Sequence, residues 1–520
     1  MFLFIGGEDM HKLNIRNKHG NSRSAFYKGK LQARYLALAS LLIANSFPGF
    51  VAPAHAATAF ERFSSLLAAT PEGGWVKAST NFYSDAWPTG ADAVQLNSVK
   101  FPGAVVTAWS SFGWDSAGGN LMLWGGGHAN YAGNEMYVWD GATGNWGRGS
   151  LPSKIDANGF VIGGVAPQSS HTYDNNLYLP INGMFMTFGG AAIKSGTYFQ
   201  TTDGVNVSRA GPYLWDPLKA DPNKMGGTTG SGWNTDTVAQ GGNMWIDRYG
   251  HFTGSEPIGH INGTTAYRTE NGQDVVYLTA DRNASGFPSL YRYALGDVRN
   301  GGEDTLEKIG ITTNTVGYKG AATIDTSHNL YIRTATIAGS YTSDLAIWDL
   351  DNANPASPNS NRDIGINLIK EDGSDFIMTG NFGIDYDTAN NAIVLWDGKD
   401  GGTVWSANVM TDASNNIGSN TTWTVSEVPS ATLTHPQGNF ATGVLGKWHY
   451  DEALGAFIAL DEISSKGGGV WDAGVWLYKP IIAAVVPEPQ AYALLLAGLG
   501  LIGWSARRQF RKDWRRHDHG

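Results

Sequence analysis

Two histidines stand out by type and position. His128 directly follows an apolar run and a glycine triplet, in Leu121-Met-Leu-Trp-Gly-Gly-Gly-His128. His171 stands in Ser169-Ser-His-Thr-Tyr173, just ahead of another strand-like run. Tyr131, Tyr173 and Asn134 lie close to them in sequence, and His260 holds a position like that of His171. Such a set permits three chemistries. Imidazole can bind a metal, although spacing fixes no third histidine or carboxylate, so no metal and no cofactor is expected. A His–Tyr pair can act as base and acid in β-elimination on a uronate polymer, with Arg268 neutralising the carboxylate. The same side chains can also hold a sugar through hydrogen bonds and ring stacking. On this reading His128, His171, Tyr131, Tyr173 and Arg268 are the catalytic candidates, and Asn134 and His260 the substrate-binding ones. The sequence has no nucleophile elbow, phosphate loop or HExxH motif.

The elements that must position these residues are short strands. Of 520 residues, 68 are Gly and 19 are Trp, and there is no Cys. That composition suits a turn-rich all-β chain whose stability rests on its core alone. Around His128, Leu121–Trp124 reads as one strand, Glu135–Trp139 as a second, and Trp146 opens a third after an Asp-Gly-Ala-Thr-Gly-Asn turn. A related pattern recurs: an aromatic or aliphatic residue, Asp, a polar turn, then an apolar strand. It is found at Trp114-Asp115, Tyr173-Asp174, Ile324-Asp325, Tyr386-Asp387 and Tyr450-Asp451. The step between Asp174 and Asp325 must hold another copy, with Ile246-Asp247 and Tyr267-Arg268 as candidates. Outer strands follow at Tyr213–Asp216, Leu290–Tyr293, Ala346–Asp349 and Val475–Tyr478.

An apolar run closed by Gly-Gly, an aromatic–Asp turn and a Trp one strand later resemble a kelch repeat, the blade unit of kelch and galactose-oxidase-like propellers. The resemblance implies an all-β fold: a single kelch-like β-propeller over residues 57–485, six-bladed, or seven-bladed if both candidates in the long step are inner hairpins. Trp75-Val-Lys-Ala-Ser79 is expected to supply the missing strand of the last blade. In such a topology His128 and His171 share one face, in adjacent blades. Without Cys, the Cys–Tyr copper site of galactose oxidase is excluded. Some polysaccharide lyases are propellers with His, Tyr and Arg on one face, and the likeness here is of that general kind.

Both ends of the chain carry targeting signals. A basic region from Lys12 to Arg34, an apolar Tyr35–Ile43 and Ala54-His-Ala56 form a signal peptide over 1–56, with Met10 as an alternative start. At the other end Val486-Pro487-Glu488-Pro489 precedes an apolar Ala491–Ala506 and a basic cluster opening with Arg507 and Arg508. This tail resembles a PEP-CTERM sorting signal over 486–516. It implies a transmembrane sorting helix, a membrane-embedded exosortase as partner, and export in a Gram-negative bacterium with an exopolysaccharide or biofilm setting.

Excluding 1–56 and 507–520 leaves 23 basic and 42 acidic residues, a net charge of −19. Such a domain repels nucleic acid and anionic lipid. The expected role is binding or organising extracellular polysaccharide, with a polysaccharide lyase or a protein-interaction scaffold as alternatives.

Overall fold

The computed structural model describes residues 58–481 except 97–99, 158, 163–164, 193–198, 201–207, 210–211, 229–240, 255–259, 261–262, 281–287, 314–318, 335–342, 379–380, 399–401, 412–416, 418–420, 439–441 and 465–470. The signal peptide and the sorting tail lie outside the described residues. Among the described residues, no helix is long and apolar enough to cross a membrane.

The described strands pair into six antiparallel sets of four. The first is Phe112–Asp115, Asn120–Leu123, Tyr137–Asp140 and Asn145–Arg148. The second is Asn176–Leu179, Met184–Thr187, Tyr213–Trp215 and Trp245–Asp247. The third is Thr264–Glu270, Gln273–Ala280, Ser289–Ala294 and Asp304–Ile311. The fourth is Ala322–Asp325, Leu330–Thr334, Leu345–Asp349 and Ile364–Lys370. The fifth is Gly383–Asp387, Ala392–Trp396, Val404–Asn408 and Thr422–Val428. The sixth is Trp448–Asp451, Ala456–Leu460 and Val475–Lys479, completed by Gly74–Lys77 from the other end of the chain. The innermost strands enclose a central cavity of about 220 Å³, walled by Phe112, Tyr178, Tyr267, Thr323, Asp385 and His449, one from each set. This is a β-propeller.

Why these runs become strands follows from how the sheets stack. Each second strand is covered on both faces, so it reads as an unbroken apolar run rather than an alternating one. Leu330–Thr334, Ala392–Trp396 and Ala456–Leu460 are buried at every position. The closing strand brings in Trp75, which is buried among Trp396, Trp448 and Tyr478 at ring-centroid distances of 5.4, 5.5 and 4.9 Å. Its Nε1 donates to Gly402 O at 2.7 Å. A preceding helix, Ala59–Ala68, was not legible as a core element in the sequence; a Thr58/Glu61 capping box starts it and Phe63 stacks on Trp139.

The aromatic–Asp repeat has two structural jobs. Its Asp builds the inner-hairpin turn: Asp325 Oδ1 accepts from Ser327 N (2.8 Å) and His328 N (3.1 Å), and Asp387 Oδ1 from Ala389 N (2.9 Å) and Asn390 N (3.1 Å). Its aromatic residue reaches the Asp of the preceding sheet. Trp114 Nε1 donates to Asp451 Oδ2 at 2.7 Å, closing the ring between the last sheet and the first. The Asp of the preceding sheet also acts electrostatically on Tyr178 (Asp115), Tyr386 (Asp325) and Tyr450 (Asp387), where burial first and the carboxylate after it raise the phenol pKa.

Two readings of the repeat are corrected. Tyr173-Asp174 is not an inner-hairpin turn, because the strand begins at Asn176 and the turn falls at Pro180–Gly183. Asp174 is instead buried above the central cavity, its Oδ2 accepting from Ala322 N at 2.9 Å and Thr265 N at 3.3 Å. Of the candidates in the long step, Tyr267-Arg268 lies in an inner hairpin, whereas Ile246-Asp247 lies in the outermost strand of the second set.

Candidate functional site

The inner-hairpin turns define a lower face, and the segments leading into each inner strand define an upper one. Three residues before an inner strand stand Trp109, Tyr173 and Lys319, ahead of Phe112, Asn176 and Ala322. All three are left-handed, at φ +44°, +50° and +68°. Their neighbours His128 and Ala129 are also left-handed, at φ +47° and +66°. Among the described residues, every other non-glycine residue with positive φ is an asparagine (Asn243, Asn271, Asn329, Asn391), the type that tolerates it best. Bulky residues held there cost about 1–3 kcal/mol each, and persist only where the surroundings enforce them.

Three of these residues, His128, Trp109 and Tyr173, pack their rings against that of His171. Its ring lies 5.4 Å from that of His128, 4.8 Å from Trp109 and 6.2 Å from Tyr173. Tyr173 N donates to Trp109 O at 2.6 Å. Lys319 Nζ stands 5.0 Å from the Trp109 ring centroid. Lys319 leads into the fourth inner strand and Trp109 into the first. Glycine allows the approach: a Cβ on Gly127 would overlap Ser169 O and Ser170 Cα, and one on Gly190 would overlap His171 O.

His171 is buried, while His128 is exposed. Burial, with the charge of His128 second, lowers the His171 pKa to about 3; a hydrogen bond with the Gly127 backbone works the other way. The ring is therefore neutral at neutral pH. Its Nε2 lies 2.9 Å from Asn130 Nδ2, so the amide donates, and the imidazole proton belongs on Nδ1.

The other sequence candidates stand elsewhere. Tyr131 is turned inward and fully buried, its hydroxyl donating to Glu135 Oε1 at 2.5 Å beside Tyr137, which does the same. Asn134 is a buried strut: its Nδ2 donates to Pro167 O at 2.9 Å and its Oδ1 accepts from Ser153 N at 2.8 Å. His260 is buried with its ring 5.0 Å from Phe188 and its carbonyl accepting from Asn175. Arg268 is at the opposite end of the molecule. It pairs with Val275 two residues short of the Asn271-Gly272 turn, and it bonds Glu270 Oε1 (2.6 Å), the Tyr277 hydroxyl (2.9 Å) and Asn329. A strand rises about 3.3 Å per residue, so Arg268 cannot reach the histidines.

Trp109, Asn130 and Lys319 were missed. A signal for two of them existed: Trp109 and Lys319 stand five residues before Trp114 and Ile324, as Tyr173 stands five before Tyr178. Among the described residues, no group of three or more His, Asp or Glu side chains could hold a metal ion.

The chain matches the family model of the PEP-CTERM protein-sorting motif over residues 485–511. The motif implies exosortase recognition, export, and anchoring at the surface of a Gram-negative bacterium. No curated protein matches the chain. Solved structures similar to it include a Penicillium chrysogenum α-L-arabinanase complexed with arabinobiose, at 13% identity and TM-score 0.38, covering 78% of this chain and 98% of that one. An α-L-arabinofuranosidase from Fusarium graminearum, complexed with an iminosugar inhibitor, gives 10% and 0.36, covering 71% and 97%. A fucose-specific lectin from Aleuria aurantia gives 12% and 0.28, covering 73% and 98%. Likeness at this level carries no argument about the chemistry of this chain.

Proposed function

We propose that this chain is an exported, six-bladed propeller of the kelch-like kind that binds extracellular carbohydrate through its upper face. The observation that carries the reading is the convergence of strained, bulky side chains around the two histidines. The half-buried Trp109 offers aromatic surface, backed by the buried Tyr173, and the exposed His128 and Asn130 offer hydrogen bonds, a combination suited to a sugar.

The electrostatics favour holding over cleaving. A general base works best with a pKa near the working pH, and His171 at about 3 falls well short. Its basic nitrogen is also occupied by Asn130. Arg268, the group meant to neutralise a uronate, is on the far face.

The test is retention of the full-length protein on a panel of immobilised polysaccharides, with Trp109→Ala as control. Retention that the substitution weakens supports the reading, and no retention on any polymer sinks it. Ultraviolet absorbance of the unsaturated uronate left by β-elimination is followed in parallel. A rise abolished by His128→Ala would replace the binding reading with the lyase one.

A further inference from the structure

Lys319 is out of place electrostatically. Its ammonium is half-buried beside Trp109, and it makes no ion pair among the described residues. Other described cations have oxygen partners: Lys447 donates to Gly443 O and Lys479 to Leu67 O and Thr70 O, and several face carboxylates. Arg248 faces Asp304 (2.7 Å), Arg292 faces Glu270 (2.8 Å), Arg299 faces Asp216 (3.1 Å), and Lys77 faces Asp472. In a domain with 42 acidic against 23 basic residues, carboxylates are plentiful, yet none is set against this lysine. A charge taken partly out of water without a partner is unfavourable. Burial accordingly lowers the Lys319 pKa, with no neighbouring carboxylate acting to raise it.

Strain points the same way. Lys319 is held at φ +68°, in line with Trp109 and Tyr173, its carbonyl accepting from the Arg333 guanidinium at 2.8 Å. The Trp109 ring beneath it packs on His171, which in turn packs on the exposed His128. An unpaired cation over an aromatic ring suits an anion carried on a ring-shaped molecule.

We propose that the upper-face cluster selects an acidic saccharide, with Lys319 as the counter-charge to its carboxylate or sulfate group; this rests on the carbohydrate-binding reading above. A lysine is a point charge with three donors, so it takes either anion, unlike the planar fork of an arginine. The net charge of −19 does not oppose this at close range. At physiological ionic strength the Debye length is about 8 Å, so distant carboxylates are screened while a contact at Lys319 is not.

The experiment is affinity electrophoresis of the full-length protein through gels containing polygalacturonate, dextran sulfate or neutral dextran. The wild type is compared with Lys319→Gln and Lys319→Arg, each checked for folding by circular dichroism and thermal melting. The expected result is stronger retardation by an acidic polymer than by dextran. Lys319→Gln should weaken the acidic-polymer affinity roughly tenfold, as for one charge-assisted contact, and leave dextran unchanged. Lys319→Arg should retain the preference. Retardation by polygalacturonate, by dextran sulfate or by both assigns the anion. Equal retardation by acidic and neutral polymers, or a Lys319→Gln protein that keeps the preference, overturns the proposal and leaves carbohydrate binding standing. No retardation by any polymer overturns both.

Discussion

The two faces of this propeller use similar residue types for opposite ends. On the lower face, Trp114, Tyr178, Tyr386 and Tyr450 each stand against the Asp of the preceding sheet, Trp114 by a hydrogen bond and the tyrosines electrostatically, and each placement repeats its neighbour. On the upper face, Trp109, Tyr173 and Lys319 also occupy equivalent positions, but each differs from the next, and each is strained. Where the repeat is kept, the side chains hold sheets together. Where equivalent positions diverge, Trp109 and Tyr173 pack on one neutral, buried histidine and Lys319 packs on Trp109.

The largest expected effect belongs to the framework. Trp75→Ala removes the ring that locks the closing strand and should cost about 3–5 kcal/mol in urea unfolding. A small loss would show that the ring closes without it. Next comes the contribution of His171 to the pH dependence of stability. The folded-state pKa of His171, about 3, lies below the ordinary 6.5. Above 6.5 the ring is neutral in both states and contributes no slope. As pH falls from 6.5 toward 3 the unfolded chain takes the proton first, so stability drops, by at most about 1.4 kcal/mol per pH unit. His171→Gln should flatten that portion of a stability–pH profile; an unchanged profile would mean that the ring is not held neutral.

Smaller still is Trp114→Phe. It keeps an aromatic ring but leaves the buried Asp451 without its indole donor, and should cost about 1–3 kcal/mol while leaving polysaccharide retention intact. Loss of retention at full stability would break the division between the faces. The smallest effect is expected of Arg268→Gln, which disturbs a half-exposed ion pair on the lower face. It should cost under about 1 kcal/mol and leave acidic-polymer binding unchanged. A binding defect would return Arg268 to the site.

Particular residues show what was legible. The all-β character, the strand order and the Trp75 closure follow from apolar run length and turn chemistry, which are local properties. The meeting of His128 with His171 was readable because propeller topology fixes which strand ends share a face. Tyr131 and Asn134 stand apart from the histidines because nearness in sequence does not set direction: after Asn130 the chain turns into the core, and both polar groups bond Glu135, Pro167 and Ser153. Arg268 lies away from them because its register, close to the hairpin turn, is not set by its local sequence.

The sequence alone determined the propeller repeat, the sorting motif, the absence of cysteine and the acidity of the domain, since composition and local periodicity carry these. Only the tertiary structure decided which side chains meet over the axis. Lys319 reaches Trp109 across 210 residues, and that contact depends on ring closure, strand register and backbone strain. None of these is a property of neighbouring residues in the chain.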